Sequence, residues 1–283
     1  RAFSFSGSAM KKSIATKQQS LRDFTDEHYA QGSFAFSRLL RAGEIRVNGA
    51  RVRRNVRLAP GDEVVWFTTA KEEARPFYSV VYEDENVLVA DKYAGANTEA
   101  LAEALKERGA RAVHRLDRNT CGLLVFARTD AAERALLEAF RARRVRKEYE
   151  ALCFHPFSVP EAVCTAYLKK DSRAARVKVS PAPAAGYEKI VTEYAAEETP
   201  GEVVRVRIVL HSGKTHQIRA HMAFLGHPVV GDEKYGDEAL NRQYGVKRHI
   251  LVAKRLSFSL SGALAYLNGK TFESAFSVQL PAR

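Results

Sequence analysis

The chain contains several apolar runs of strand length that are not separated by regularly spaced helices. The run EVVRVRIVL, residues 202–210, alternates apolar and polar side chains, which is typical of a strand with one buried face. The runs NVLVADK (86–92), GLLVFAR (122–128) and RKEYEALCF (146–154) are also predicted strands. Because strands outnumber helices and do not alternate with them, the pattern favours an α+β fold over a doubly wound parallel sheet. We expect a mainly antiparallel sheet with flanking helices.

Two later segments have the pattern of helices. Residues 129–143 are predicted to be helical, with Asp130 as the N-cap. A second helix is predicted from a Thr215 cap to about Leu225, and Gly226 is expected to end it.

The segment before residue 77 has its own organisation. A helix is predicted to end at Gly43, and Asn48 and Gly49 form the turn of a predicted hairpin. The extension at the start is left out of the fold prediction. We divide the chain into an N-terminal extension (1–18), a small α/β unit (19–70), a linker (71–76) and a large domain (77–283).

Charge and composition limit the classes of partner. The chain has 45 Lys and Arg against 33 Asp and Glu, a formal charge of +12. Such an excess points to a polyanion, most simply nucleic acid, although a merely basic soluble protein is the alternative. Three cysteines without a Cys-x-x-Cys pair argue against a disulfide framework or a structural zinc site and fit a reducing cytoplasm. The longest apolar runs are far below the ~20 residues of a membrane span.

The stretch HRLDRNTCGLL, residues 114–124, places Asp117 between two arginines. Taken alone, this aspartate is best interpreted as the cap of a tight turn. Arg219, however, lies in the first turns of the predicted second helix, where a cation is disfavoured and needs an anion. We hypothesise that this anion is Asp117, whose pKa an arginine would lower by ~1–3 units. A structural salt bridge between Arg219 and another acid is the alternative.

Other chemistries have weaker support. His211, His216 and His221 are five residues apart, a spacing that does not stack them on one helical face. No His-Glu-x-x-His motif and no glycine-rich phosphate loop occurs, and Cys121 and Ser212 lack a nucleophile motif. The sequence therefore predicts no metal site, and a hydrolase using Asp117 and a histidine is a poor alternative.

Tyr149 follows a run of basic residues that ends at Lys147. A basic stripe ending in an aromatic residue suits phosphate contact followed by base stacking, which is worth ~1–3 kcal/mol per base. A strand tyrosine packed in the core is the alternative.

Together these stretches resemble pseudouridine synthases of the RluA type. HRLDRNTCGLL is similar to the family's His-Arg-Leu-Asp-x-x-Thr-Ser-Gly-Leu-Leu, with Cys121 in the place of serine. RKEYEAL resembles the family's Lys-x-Tyr-x-Ala strand, and GKTHQIRAHMAFLGHPVVGDEKYG resembles its Gly-Arg-Thr-His-Gln-Ile-Arg segment and the tail after it. The resemblance runs from about Phe77 to the C-terminus. One departure is Tyr93, which replaces the proline of the family's Lys-Pro-Ala-Gly loop.

The N-terminal unit resembles an S4-type RNA-binding domain. FSRLLRAGEIRVNGARV and LAPGDEV fit its Ser-Arg, Val-Asn-Gly and Gly-Asp pattern. This module would hold RNA backbone through its arginines.

The resemblance implies a pseudouridine synthase fold with a central cleft and isomerisation of uridine in RNA to pseudouridine, a reaction that needs neither a cofactor nor a metal. It assigns Asp117 as nucleophile or electrostatic partner, Arg219 as the group that orients it, and Tyr149 as the residue that packs on the flipped base or acts as general base. The flanking Arg115 and Arg118 would serve RNA phosphates or the scaffold. The residues expected to contact RNA are Arg115, Arg118, Thr120, Lys147, His216, Gln217, Arg38, Arg41, Arg46, Arg53 and Arg54.

The S4-type resemblance favours ribosomal RNA as the partner. A synthase directed at transfer RNA and a non-catalytic RNA-binding protein of the same fold are the alternatives. We expect a cytoplasmic monomer that has no contact with a membrane.

Overall fold

The computed structural model describes residues 8–29, 32–69, 76–171, 174–197 and 201–281. Within these ranges the chain forms six α-helices, two short 3-10 helices and seventeen strands, so the predicted α+β class is confirmed. The helices are α1 (Leu21–His28), α2 (Gly32–Ala42), α3 (Thr98–Ala104), α4 (Asp130–Arg141), α5 (Gln217–Phe224) and α6 (Glu238–Gln243). The 3-10 helices are Lys106–Arg108 and Gly262–Leu267.

The first nine strands are β1 (Ser8–Ile14), β2 (Gln19–Ser20), β3 (Ile45–Val47), β4 (Ala50–Arg51), β5 (Arg57–Leu58), β6 (Glu63–Thr69), β7 (Tyr78–Glu83), β8 (Val87–Lys92) and β9 (Arg111–Ala112). The remaining strands are β10 (Cys121–Ala127), β11 (Val145–Phe154), β12 (Glu161–Asp171), β13 (Arg176–Ser180), β14 (Glu188–Ala196), β15 (Val203–Leu210), β16 (Leu251–Phe258) and β17 (Thr271–Glu273). No helix in these ranges is long and apolar enough to cross a membrane.

An eleven-stranded sheet forms the framework of the large domain. Its strand order is β13-β12-β14-β15-β11-β16-β10-β8-β7, with β9 and β17 attached to β10 and β16. All pairings in it are antiparallel except one, so the predicted mainly antiparallel sheet is confirmed. The exception joins β10 to β16 in parallel through only two residue pairs, Cys121 with Val252 and Gly122 with Ala253. We call this junction the seam.

A glycine is required at the seam. Gly122 has φ +111°, and a Cβ there would lie 2.3 Å from the carbonyl oxygen of Ala253. Any side chain would therefore push β10 away from β16. The seam follows Asp117 by only a few residues, so this glycine also helps to set the position of the loop that carries the aspartate.

Strand β10 is buried on both faces, which explains why its sequence is an uninterrupted apolar run. Leu124 and Phe126 belong to one core cluster, whereas Leu123 and Val125 belong to another. Because successive side chains of a strand point to opposite faces, a strand covered on both sides has no polar alternation. Helix α4 contributes to the core on the Leu123 face, and α5 contributes to the opposite one.

Two predicted helix caps are wrong. Thr129 caps α4, because its side chain accepts a hydrogen bond from the backbone N–H of Ala132, and Asp130 is the first helical residue instead. Helix α5 follows His216, which has left-handed φ of 53° and no side-chain cap bond, so Thr215 is not its cap. Gly226 does follow the end of α5, with φ +89°.

The N-terminal residues form a separate sheet of order β1-β6-β3-β4, and α1 and α2 add side chains to its core. The predicted hairpin turn is confirmed by positive φ at Asn48 and Gly49. Strand β1 pairs with all of β6, although it lies in the predicted extension 1–18, so the sequence analysis missed this strand. Its exposed Met10 and Ile14 give it no buried face that a sequence pattern would reveal. Residues 71–75 of the predicted linker lie outside the described residues, and the domain boundaries stay a prediction.

Candidate active site

Asp117 lies in the loop between β9 and β10 and borders a cavity of about 330 Å³. The backbone N–H of Thr120 donates to the Asp117 carbonyl at 3.1 Å, so the aspartate begins a tight turn, as its sequence context predicts. Its side chain is 23% exposed. Tyr149 and Lys147 line the same cavity. The carboxylate is therefore sheltered by the protein but can be reached from the cleft.

The structure brings Asp117 and Arg219 together although they are 102 residues apart in the chain. Nη1 of Arg219 donates to Oδ2 of Asp117 at 2.9 Å. The other two guanidinium nitrogens donate to Asp232, from Nε to Oδ2 at 2.6 Å and from Nη2 to Oδ1 at 2.9 Å. Arg219 thus bridges two carboxylates, and both sequence-based interpretations of it apply at once.

Asp232 is a functional candidate that sequence reasoning missed. Its side chain is 0% exposed, and its Oδ1 also accepts the backbone N–H groups of Lys234 and Tyr235 at 2.8 and 3.0 Å. A planar guanidinium that is held by two bonds to a fixed carboxylate cannot rotate away. Asp232 therefore determines where Arg219 presents its third nitrogen to Asp117. The only sequence signal was the Gly-Asp pair in the family-like segment that ends at residue 236.

The charges around Asp117 keep it ionised. Burial raises the pKa of its carboxyl, but electrostatic interaction with His216 and Arg219 and the Arg219 hydrogen bond lower the pKa by more, so the net pKa lies below the usual range. Burial also lowers the pKa of His216 to about 4, so this imidazole is neutral at pH 7. Arg219, unlike His216, is therefore positively charged beside Asp117 at pH 7. Oδ1 of Asp117 makes no hydrogen bond with any described residue, which leaves one oxygen of an anionic carboxylate facing the cleft.

Tyr149 lies on β11 and lines the same cavity as Asp117. It is 8% exposed, and both burial and the negative charge of Asp117 raise the pKa of its phenol. The phenol therefore stays neutral at physiological pH. Lys147 lies two residues earlier on the same face of the strand, and burial lowers its pKa.

Lys92 supports the loop that carries Asp117, and it too was not predicted from the sequence. Its side chain is buried, and its Nζ donates to the carbonyl oxygens of Tyr93, Ala96 and Arg118 at 3.2, 2.8 and 3.0 Å. These bonds tie the loop after β8 to the loop that carries Asp117. Burial lowers the pKa of Lys92 to about 7.

The departure at Tyr93 has a structural reason. Its backbone N–H donates to the carbonyl of Phe77 at 2.9 Å, a bond that a proline has no N–H to make. The ring packs edge-on against Phe276, with centroids 5.1 Å apart. In this chain the loop is therefore held by a hydrogen bond and an aromatic contact.

Comparison with known proteins decides the family. Residues 77–224 match the model of the family described as RNA pseudouridylate synthase. The chain belongs to the RNA pseudouridylate synthase family.

Characterised relatives of this synthase carry the same activity in their names. "Ribosomal large subunit pseudouridine synthase C" of Vibrio cholerae serotype O1 is 32% identical over 251 residues, covering 78% of each chain. The protein of that name from Escherichia coli strain K12 is 32% identical over 260 residues, covering 80% of each chain. The present chain is accordingly an enzyme that forms pseudouridine in RNA.

Solved structures show the same fold. Human RNA Pseudouridylate Synthase Domain Containing 1 is 26% identical with a TM-score of 0.56, over 72% of this chain and 91% of that one. Human RNA Pseudouridylate Synthase Domain Containing 4 has the same TM-score at 21% identity, over 72% of this chain and 88% of that one, and supports the fold alone.

In this synthase the two arginines that flank Asp117 face different ways. Arg115 is exposed at the cavity rim and forms an ion pair with Glu99 at 3.2 Å. Arg118 points instead toward helix α1, where its Nη2 lies 3.8 Å from Oδ1 of Asp23. Arg115 is therefore accessible at the cavity, and its contact with RNA stays a prediction, whereas Arg118 takes the scaffold position that was the alternative for it.

Two residues that we expected to contact RNA are used inside the protein. Thr120 is 2% exposed, and its hydroxyl lies 2.9 Å from Nε2 of His249. Gln217 is also 2% exposed; its Oε1 accepts from the Ser212 hydroxyl at 2.9 Å and from the Lys214 backbone N–H at 3.1 Å. These bonds shape the loops around the cleft, so the structure gives both residues a supporting position. Both residues also line a pocket beside Asp117 and Arg219, so their contact with RNA stays a prediction.

The arginines of the N-terminal unit divide in the same way. Arg41, Arg53 and Arg54 are exposed. Arg38 is half-buried and paired with Glu44, and Arg46 has its Cζ 5.6 Å from the ring centroid of Phe67. Of these five predicted RNA contacts, Arg41, Arg53 and Arg54 are therefore the ones presented fully to solvent.

No group of three or more His, Cys, Asp and Glu side chains in the described part of the chain is arranged to hold a metal ion.

Proposed function

We propose that this synthase is of the RluA type, that its N-terminal unit is an S4-type RNA-binding domain, and that it isomerises uridine in large-subunit ribosomal RNA. The observation that carries the proposal is the anionic Asp117, paired with a fixed Arg219 at the bottom of an open cleft. The names of the relatives from Vibrio cholerae and Escherichia coli support ribosomal RNA as the substrate class. We propose that it acts as a monomer in the cytoplasm.

The chemistry is an isomerisation, so no atom is gained or lost. The bond between N1 of uracil and C1′ of ribose breaks, and a bond between C5 and C1′ forms. The proton leaves C5, and N1 becomes protonated. Because the uracil stays bound throughout, the reaction consumes no cofactor. Asp117 acts as the nucleophile or as the anion that stabilises the intermediate, and its free Oδ1 faces the cleft where the nucleotide would lie.

Arg219 acts by holding the carboxylate in one orientation and by keeping it charged. Positioning of this kind accelerates a reaction because the reacting groups no longer search for their geometry. Asp232 contributes to this positioning indirectly, because it fixes the guanidinium of Arg219.

Tyr149 supplies a surface on which the base packs. An aromatic contact of this type is worth ~1–3 kcal/mol per base. The other role expected for Tyr149, that of general base, has little support, because a neutral phenol with a raised pKa is a poor acceptor for the C5 proton. Stacking is the role that we assign to it.

The target uridine must leave its stack to reach Asp117. The cavity of about 330 Å³ falls in the range, about 300–1,000 Å³, in which proteins enclose small ligands. Extrusion costs a few kcal/mol in a duplex and less in a loop. Phosphate contacts would offset this cost. We assign them chiefly to Arg115 and Lys147 at the cleft and to the exposed arginines of the N-terminal unit.

The direct test maps pseudouridines in total RNA from cells with and without this protein. We expect one or more sites in large-subunit ribosomal RNA to depend on it. Sites confined to transfer RNA would overturn the assignment of the substrate, and no lost site in any RNA would overturn the proposed function in the cell.

The affinity of the protein for RNA should depend steeply on salt concentration if the arginines contact the phosphates of the RNA backbone. Engagement of ~6 phosphates lowers affinity roughly a thousandfold between 50 and 200 mM salt, because each contact releases condensed counterions. Filter binding over this range measures the slope. Replacing Arg41, Arg53 and Arg54 together by glutamine should reduce the slope by about three contacts. Replacing Arg242, which pairs with Glu238 on α6, is the control and should leave it unchanged. A flat response of the unaltered protein would contradict the role given to the arginines.

A further inference from the structure

His216 and Tyr235 lie beside Asp117 and have no part in the reaction as described above. His216 lies at the start of α5 and its side chain is 15% exposed. Its Nε2 is 3.9 Å from Oδ2 of Asp117, which is too long for a hydrogen bond. That oxygen already accepts from Arg219. The imidazole therefore lies at the reaction site but is not part of the ion pair between Asp117 and Arg219.

The other imidazole nitrogen has a partner that determines where the proton sits. Nδ1 of His216 lies 2.8 Å from the hydroxyl of Tyr235. The same hydroxyl accepts the backbone N–H of Val177 at 2.8 Å. A backbone N–H can only donate, so the phenol oxygen is the acceptor in that bond. Among the described residues, Nδ1 is then the one acceptor within reach of the phenol's own proton.

This arrangement selects one tautomer. When the phenol donates its proton to Nδ1, the proton of the neutral imidazole is on Nε2, the nitrogen that lies toward Asp117. Tyr235 is itself held in place: its backbone N–H binds Asp232, and the Cζ of Arg219 lies 5.5 Å from its ring centroid. The phenol that orients His216 therefore shares its anchor with the arginine that orients Asp117.

We propose that Tyr235 is a positioning residue that fixes His216 as a neutral Nε2–H donor, and that this donor binds an oxygen of the flipped uridine next to Asp117. The second half rests on the proposed function. A neutral donor at this place binds the substrate without adding a second positive charge beside Asp117. The oxygen is a ribose hydroxyl or a uracil carbonyl, since both are acceptors that a uridine at Asp117 would bring into the cleft.

The tautomer can be observed directly. We would label the histidines with ¹⁵N and record long-range proton–nitrogen correlation spectra, assigning His216 by the signal that disappears in His216→Gln. The expected result at pH 7 is a proton on Nε2, and its shift toward Nδ1 in Tyr235→Phe. A proton on Nδ1 in the unaltered protein, or identical spectra in Tyr235→Phe, would overturn the role of Tyr235. Tyr244→Phe removes a phenol hydroxyl that touches no described hydrogen-bond partner and is the control.

Activity tests the second half. His216→Ala should lower the turnover number ~100-fold, as loss of one preorganised donor does. His216→Gln places an amide donor near the position of Nε2 and should recover most of that loss. Equal rates for the alanine and glutamine variants would overturn the donor role, and they test it even where Tyr235→Phe does not fold. RNA with 2′-deoxyuridine at the target distinguishes the two acceptors. If His216 binds the 2′-hydroxyl, His216→Ala and the unaltered protein should be equally active on this RNA. If His216 binds a uracil carbonyl, His216→Ala should still be the less active of the two.

The pH profile separates positioning from mere support. The charged and titratable groups that face His216 are Asp117, Arg219, Asp232, Lys234 and Tyr235. Without the phenol, Nδ1 is free to take a proton. As the pH is lowered, Tyr235→Phe should therefore lose activity at a higher pH than the unaltered protein does. An unchanged profile would count against the proposal. If the unaltered protein modified no RNA at all, the proposed function would fail, and the spectra would still decide the role of Tyr235.

Discussion

Asp117→Asn is expected to abolish pseudouridine formation while RNA binding survives. The amide has nearly the same shape as the carboxylate but no negative charge, so it cannot act as a nucleophile or stabilise a cationic intermediate. Removal of a residue that takes part directly in the chemistry costs ~10⁴-fold or more in rate. The fold should persist because Arg219 keeps both bonds to Asp232.

Single-turnover formation of pseudouridine and filter binding, measured on the same preparation, separate the two effects. Asp130→Asn is the matched control, since Asp130 is an exposed carboxylate that also pairs with an arginine, at 2.6 Å from Arg111. It should leave turnover unchanged. More than a trace of activity in Asp117→Asn would refute the assignment of this residue to the chemistry.

Arg219→Lys is expected to lower both turnover and stability although it preserves the charge. A lysine ammonium cannot make two parallel bonds to Asp232 and a third to Asp117, because it lacks the planar fork of the guanidinium. Asp232 would be left buried with only part of its partners, and breaking a buried pair costs ~3–5 kcal/mol. Asp117 would lose its fixed orientation, and we expect turnover to fall ~100-fold.

Chemical denaturation measures the free energy of unfolding of the lysine variant, and single-turnover assays at a temperature where it is folded measure its rate. Arg255→Lys is the control, because Arg255 is partly exposed and pairs with Glu273 at the surface. Combining Asp117→Asn with Arg219→Lys should lower stability about as much as Arg219→Lys alone. Unchanged turnover in Arg219→Lys would mean that the guanidinium has no part in positioning Asp117.

The sheet could be predicted because its signals are local. The alternation over 202–210 and the apolar run over 122–128 each reflect how a single strand is covered, and strands β15 and β10 lie there. The pairing of Asp117 with Arg219 rested on a different argument, since no pattern relates residues so far apart in the chain. It came from the need of a cation near a helix N-terminus for an anion, together with the resemblance to a known family.

What could not be predicted depends on tertiary contacts or on competition between neighbours. Asp232 occupies a turn that many sequences would form, and only the folded chain shows that both of its oxygens are used by one guanidinium. Thr129 and Asp130 are both good caps, so their order in the sequence does not decide which one serves. His216 in a left-handed conformation has no sequence signature, because positive φ at a residue other than glycine is set by its surroundings.

The position of β16 has a consequence for when the enzyme becomes active during its own translation. Strand β16 lies between β10 and β11, although both of these leave the ribosome about a hundred residues earlier. A nascent polypeptide that lacks residues 251–258 has no strand between β11, which carries Tyr149, and β10, which follows the Asp117 loop, so the isomerising centre is completed only after β16 has been synthesised.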